Sequence, residues 1–154
     1  DNISVEADRS KRGLLFENFV PRLMQLYDIQ CVGSFTRNDA AEQIDGAIKL
    51  AGTHLLVECK WREKKSEPRE LDAFAMKINR SGSGTLGLFL SINAWSENVV
   101  SLLKQNGEKR ILLAEGYEVR LALEGRISLR DALEQKIDHL RFRAEPYLPV
   151  RSST

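Results

Sequence analysis

Asp45, Glu58 and Lys60 are the residues of this chain best suited to metal-assisted hydrolysis, and all three fall in one short stretch, residues 43 to 60, that reads as a hairpin. If the chain reverses at Ala51-Gly52 through a two- or four-residue loop, opposed residues have numbers summing to 103. Asp45 then faces Glu58, and Gln43 faces Lys60. Side chains two apart on a strand share a face, so Glu58 and Lys60 project together and meet Asp45, while Ile44, Ile48, Leu55, Val57 and Cys59 fill the other face. Two carboxylates with Cβ atoms about 5 Å apart repel across a ladder, and the arrangement wants a cation between them. A divalent metal is the natural candidate. Such a triplet also arises by chance on the wet face of a hairpin, but that face would carry more polar residues. Here Leu56 and Ala47 accompany the charges, which predicts a partly enclosed site.

The elements that must hold this hairpin can be traced in both directions. Residues 11 to 28 carry Leu15, Phe16, Phe19, Val20, Leu23, Leu26 and Tyr27 at close to a helical period, with Pro21 implying a kink or a displaced first turn beside Glu17. A strand is expected over 29 to 35, a polar loop over 36 to 42, then hairpin strands near 43 to 50 and 53 to 61. Ser66 can cap a helix with Pro68 in its first turn and Leu71, Phe74, Ala75 and Ile78 as its buried stripe, ended by the Ser-Gly-Ser-Gly run at 81 to 84. Residues 85 to 92 are almost continuously apolar, the pattern of a strand covered on both faces, so this strand-helix-strand unit should be a right-handed parallel crossover in a mixed sheet. A second crossover runs through a helix at 96 to 105 into a strand at 111 to 114. Ser128 with Asp131 resembles a capping pair for a last helix striped by Leu129, Ala132, Leu133, Ile137 and Leu140. Residues 1 to 8 read as linker or N-terminal extension, 9 to 143 as one domain, and 144 to 154 as a loose C-terminal tail.

A length of 154 residues, 42% hydrophobic and 29% charged, fits one globular domain with a real core. The chain starts without Met, shows no signal-peptide pattern, and has no apolar run near the ~20 residues of a membrane helix. The expectation is a cytoplasmic protein cut from a longer chain, with no membrane partner. Cys31 and Cys59 offer neither a disulfide framework nor zinc-ligand spacing, and the inward direction of Cys59 suggests a buried thiol. A net charge of +1 does not announce a nucleic-acid protein, but its distribution is suggestive. Lys11 and Arg12 open the first helix, Lys60, Arg62, Lys64 and Lys65 follow the carboxylates, and Arg69, Lys77 and Arg80 lie on the next helix. No Gly-rich phosphate loop, nucleophile elbow or His/Cys metal cluster appears, so other α/β enzyme classes lack support.

The order helix, strand, hairpin, helix, strand, helix, strand, with acids and a lysine on the hairpin, resembles the PD-(D/E)xK nuclease superfamily, specifically its Mrr-like restriction endonuclease branch. The resemblance spans residues 11 to 143 and is carried by Phe16-Glu17, Ile44-Asp45-Gly46, Val57-Glu58-Cys59-Lys60-Trp61, residues 87 to 92, and residues 111 to 133 with Ile127-Ser128-Leu129 inside. Order and spacing together, more than any one piece, make the match. Ile44 stands where the superfamily's name implies proline.

The resemblance implies a restriction-endonuclease-like α/β/α sandwich around a central mixed sheet, binding of Mg²⁺ with Mn²⁺ able to substitute, and hydrolysis of phosphodiester bonds in DNA. Asp45, Glu58 and the Cys59 carbonyl would hold the metal. Lys60 would orient the attacking water, help lower its pKa, or neutralise charge developing on the phosphate. Glu17 could bind a second metal or orient a water, or be an exposed helix acid. Arg37, Arg62, Lys64, Lys77 and Arg80 are phosphate-contact candidates; Trp61 and Trp95 could stack on bases or sit at the core boundary; Gln43 and His54 read better as surface residues. The expected function is DNA cleavage in a restriction or defence protein whose target recognition lies in a further domain. A Holliday-junction resolvase or repair nuclease would share the chemistry, with a homodimer presenting two sites. A DNA-binding module that kept the fold without catalysis is the alternative of a different class.

Overall fold

The computed structural model describes residues 20–150, so Glu17 and the first-helix positions before Val20 lie outside the described residues. Helix α1 is described over residues 20–26. It is followed by β1 (Gln30–Val32), β2 (Phe35–Arg37), β3 (Glu42–Ile44), β4 (Gly46–Leu50), β5 (Thr53–Lys60), α2 (Pro68–Asn79), β6 (Leu86–Ser91), α3 (Val99–Gln105), β7 (Ile111–Glu115), α4 (Gly116–Leu123) and α5 (Leu129–Arg143). Five strands form one sheet in the order β1-β4-β5-β6-β7, and β2 pairs with β3 as a separate two-stranded ribbon. The first two ladders of the main sheet are antiparallel and the last two parallel, joined through α2 and α3, which is the expected mixed sheet.

Strand parity builds the sandwich. Ile48, Leu55, Val57, Leu88 and Leu112 point to one face, where α1, α4 and α5 add Leu23, Met24, Val119, Leu133 and Ile137. Leu56, Phe89, Ile111 and Leu113 point to the other, under Leu71, Phe74 and Ile78 of α2 and Val99 of α3. All six residues of β6 are buried, as a strand covered on both faces requires. On the α2 side Phe74 and Phe89 pack with ring centroids 5.9 Å apart, each burial contributing about 1.5–3 kcal/mol. Gly87 makes that approach possible, since a Cβ there would stand 2.7 Å from the Phe74 ring.

Several local expectations change. The strand foreseen over 29 to 35 is split between β1 and β2, and that over 43 to 50 between β3 and β4, because the chain leaves the main sheet at Asp45. The break resets the alternation: Ile44 is buried with Leu56 and Phe74, on the face opposite to the one parity assigned it. Gln43 pairs with Thr36 in the ribbon and does not oppose Lys60. Glu67, not Ser66, caps α2 in a capping box with Glu70. Ser66 is buried instead, with its Oγ 2.8 Å from Ser91 Oγ. Helix α4 was not anticipated, because its cap is a glutamate, Glu115, and its first residue is Gly116, which reads as a breaker. A Cβ at position 116 would come 2.6 Å from the Ile92 carbonyl oxygen. The C-terminal stretch is not loose over residues 145–150: the Leu113 N–H donates to the Pro146 carbonyl at 3.0 Å, and Lys136 Nζ to that of Leu148 at 2.7 Å. Among the described residues no helix is long and apolar enough to cross a membrane.

Candidate active site

The β4–β5 hairpin turns through Ala51 and Gly52, with φ of 52° and 80°, the pair of positive values that a two-residue type I′ loop demands. Its register is the one expected, with Gly46 opposite Val57 and Leu50 opposite Thr53. The ladder stops at Gly46, and Asp45, in the break between β3 and β4, lies close enough to Glu58 to feel its charge. The Cys59 N–H donates to Asp45 Oδ2 at 2.9 Å, so this carboxylate is tied to the main chain of β5. In an extended strand one residue's N–H and C=O point to the same edge, so the Cys59 carbonyl also faces the Asp45 side. The Lys60 carbonyl faces β6 and accepts from Ile92 N–H at 3.0 Å.

Glu58 is only 7% exposed, which bears out the enclosure that Leu56 and Ala47 implied. Its two oxygens are each met by an ammonium: Lys60 Nζ lies 3.3 Å from Oε2, and Lys77 Nζ 3.3 Å from Oε1. Lys77 also donates to the Gln43 carbonyl at 2.7 Å. Burial is the main influence on Asp45 and raises its pKa, and the Glu58 charge acts in the same direction. The Cys59 N–H, Lys60 and Lys77 pull it down without reversing the shift. The cluster of two carboxylates and two ammoniums is therefore neutral in sum, and the cations facing Glu58 are lysines of this chain.

The surroundings fix these side chains from behind. After Lys60 the chain is pinned to the β6 end by Asn93 Nδ2 donating to the Arg62 carbonyl at 2.6 Å and by Ser66 N–H donating to the Ala94 carbonyl at 3.0 Å. Arg62 pairs with Glu70 in the first turn of α2. Burial opposes ionisation of Glu70, but Arg62, the Glu67 N–H and Lys60 together hold its pKa below the usual range. At the other end of α2 the buried Glu42 accepts from Arg37 Nε at 2.7 Å, from Asn38 Nδ2 at 2.8 Å and from Arg80. The Arg37 hydrogen bond leads in lowering the Glu42 pKa. Arg37 Nη2 and Ser81 Oγ each donate to the Lys77 carbonyl at 2.8 Å, so the ribbon is clamped to the helix end that carries Lys77.

Asp45, Glu58, Lys60 and the Cys59 main chain are thus brought together. Glu17 lies outside the described residues. His54 is exposed beside the hairpin turn, and Trp95 packs edge-on against Tyr147 with centroids 4.9 Å apart, at the core boundary. Cys59 is half-buried against the α5-side core. Lys77 belongs to the cluster, where its sequence position suggested only a phosphate contact. The available signal was its place one residue before Ile78 on the sheet-facing stripe of α2.

Among the described residues no group of three or more His, Cys, Asp or Glu side chains is placed to hold a metal. Two carboxylates and a main-chain carbonyl remain, all hard oxygen donors, and that donor chemistry fits Mg²⁺ or Mn²⁺ with the rest of the shell supplied by water and substrate.

No protein-family model matches this chain, and no curated protein sequence matches it significantly. Its fold is similar to that of AF1548, a protein of unknown function, with a TM-score of 0.58 and 17% identity over 86% of this chain and 78% of that one. It is also similar to the DNA modification-dependent restriction endonuclease AspBHI, with a TM-score of 0.56 and 12% identity over 85% of this chain and 36% of that one. The chain thus spans about a third of AspBHI. At these identities the likeness is one of fold: a restriction-endonuclease-like α/β/α sandwich with a central mixed sheet.

Proposed function

We propose that this chain is a metal-dependent DNA endonuclease domain of the Mrr-like branch of the PD-(D/E)xK superfamily, acting as the cleavage module of a restriction or defence protein. The observation that carries the reading is Asp45, just before β4, bonded to the Cys59 N–H beside Glu58, with Lys60 Nζ 3.3 Å from Glu58, on a restriction-endonuclease-like fold. Asp45, Glu58 and the Cys59 carbonyl would hold Mg²⁺. When bound, Mg²⁺ would supply Lewis-acid polarisation of a phosphoryl oxygen and lower the pKa of a water. Lys60, anchored by the buried Glu58, would hold positive charge where negative charge develops on the phosphate. Arg62, paired with Glu70 in the first turn of α2, and Arg80, paired with Glu42 just after its last turn, would receive flanking phosphates. Target choice would rest with a further domain.

One observation favours a second reading, a DNA-binding module without catalysis: Glu58 is already paired with two lysines. A single assay separates the two. Wild type and Lys60→Ala are incubated with supercoiled plasmid, linear duplex and a four-way junction in EDTA, Mg²⁺ or Mn²⁺. Cleavage that needs metal and falls about a hundredfold or more in the variant supports the endonuclease; the preferred substrate separates a restriction module from a junction resolvase. DNA binding with no cleavage in either metal would overturn it.

A further inference from the structure

Lys77 reaches the cluster from a different element than Lys60 does, and its bonding differs as well. Lys60 shares a strand with Glu58 and stands two residues from it. Lys77 comes from the last turn of α2, is 21% exposed in its side chain, and bridges two oxygens of separate strands, Glu58 Oε1 at 3.3 Å and the Gln43 carbonyl at 2.7 Å. A small cation held between a carboxylate and a main-chain carbonyl occupies the kind of oxygen environment that suits a divalent ion. Its base is fixed, because Arg37 and Ser81 hold the Lys77 carbonyl, but four rotatable bonds separate that anchor from the ammonium. Arg80, three residues on, is tied to Glu42 and marks the same surface as basic.

Resting on the reading of Asp45 and Glu58 as the metal-holding pair, we propose that Lys77 is an exchangeable counter-ion. It neutralises Glu58 in the metal-free protein, is displaced from Oε1 when a divalent ion enters, and is then released to a DNA phosphate. Metal entry and DNA binding would thereby be coupled through one side chain: the metal frees the ammonium, and the ammonium gives the loaded site a further phosphate contact. Lys77 is a positioning residue in the free protein and a phosphate-binding residue in the loaded one.

The test reads binding and needs no turnover. Lys77→Met keeps the length and removes the charge, while Lys77→Arg keeps the charge. Mn²⁺ affinity is measured by calorimetric titration for wild type, both variants and Asp45→Asn. Duplex affinity is measured across a salt series in EDTA and in Ca²⁺. Even at the dielectric constant of water, the attraction of unit charges 3.3 Å apart, which metal entry must break between Lys77 and Glu58, amounts to roughly a tenfold change in affinity. Lys77→Met should therefore bind Mn²⁺ roughly tenfold more tightly, with Lys77→Arg near wild type. In Ca²⁺, Lys77→Met should bind DNA several-fold more weakly, with a log-log salt slope smaller by about 0.9, whereas in EDTA, where only the balancing charge and no phosphate contact is lost, the deficit should be smaller. Weaker or unchanged Mn²⁺ binding by Lys77→Met, or equal losses of DNA affinity in EDTA and Ca²⁺, would overturn the exchange. Wild-type Mn²⁺ binding that Asp45→Asn leaves intact would instead overturn the metal site on which it rests.

Discussion

Behind the sheet, on the face away from the carboxylates, Lys136 of α5 and Glu118 of α4 form an ion pair with 2% and 3% of their side chains exposed, Nζ to Oε2 3.0 Å. Lys136 also donates to the Leu148 carbonyl at 2.7 Å and stands 5.0 Å above the Tyr147 ring, whose hydroxyl donates to Glu115 Oε2 at 2.5 Å. Lys136→Met nearly conserves volume but takes the ammonium from Glu118 Oε2, while the Glu115 N–H still donates to Oε1 at 3.3 Å. Removing one partner of a buried pair costs about 3–5 kcal/mol. At roughly 2–4 °C per kcal/mol for a chain of this size, the melting temperature should fall by roughly 10 °C. Part of the cost is relieved by protonation. Burial already raises the Glu118 pKa against the pull of Lys136, so the folded state takes up a proton more readily than the unfolded one. Such a group adds stability as pH falls through its folded pKa toward the usual glutamate range, and without Lys136 that window widens upward. The deficit of Lys136→Met in urea denaturation should thus be largest at pH 7 and shrink toward pH 5. Glu118→Gln combined with Lys136→Met should recover most of it, with a coupling of about 2–3 kcal/mol. A single variant that loses under about 1 kcal/mol, or a double variant as unstable as the single, would refute this account of the pair.

Two further outcomes follow from the site and its support. In EDTA, Asp45→Asn should be at least as stable as wild type near neutral pH, because burial and Glu58 raise the Asp45 pKa and ionisation there opposes folding. That advantage should vanish as pH falls through the raised pKa to the usual aspartate range, where wild type is protonated too; Mg²⁺ or Mn²⁺ should raise the melting temperature of wild type more than of the variant. A variant several degrees less stable in EDTA, or equal metal shifts, would mean that Asp45 serves structure. Gly87→Ala should cost about 1–3 kcal/mol by chemical denaturation, since its Cβ would meet Phe74 and Ile78 at 2.7–2.9 Å, and Phe74→Leu in that background should recover part of it. Wild-type stability in Gly87→Ala would show that α2 can lift from the sheet freely.

Much of the site was legible because hairpin geometry is local. A type I′ loop at Ala51-Gly52 sets the register from Leu50–Thr53 to Gly46–Val57, so the approach of Asp45 to Glu58 and the shared face of Glu58 and Lys60 follow from counting, whereas the pairing of Gln43 with Lys60 beyond the break does not form. The apolar run of β6, the stripe of α2 and the Ser128 cap of α5 are equally local, each a matter of period and end chemistry. Helix α4 escaped because tertiary burial of Val119, Leu121 and Ala122 outweighs a glycine start.

The amino-acid sequence by itself determined which carboxylates meet and which lysine shares their strand, because strand alternation carries a residue's direction over any short distance along the chain. Tertiary structure alone decided that Asp45 falls in a break between two strands and takes the Cys59 N–H, that Ile44 turns to the α2 side, and that Lys77 reaches Glu58 from another element. Those outcomes depend on where a crossover helix lands on the sheet and on where a ribbon peels away from it. Both are set by packing between distant segments, Phe74 and Ile78 over Gly87 and Arg37 and Arg80 around Glu42, for which no local period exists.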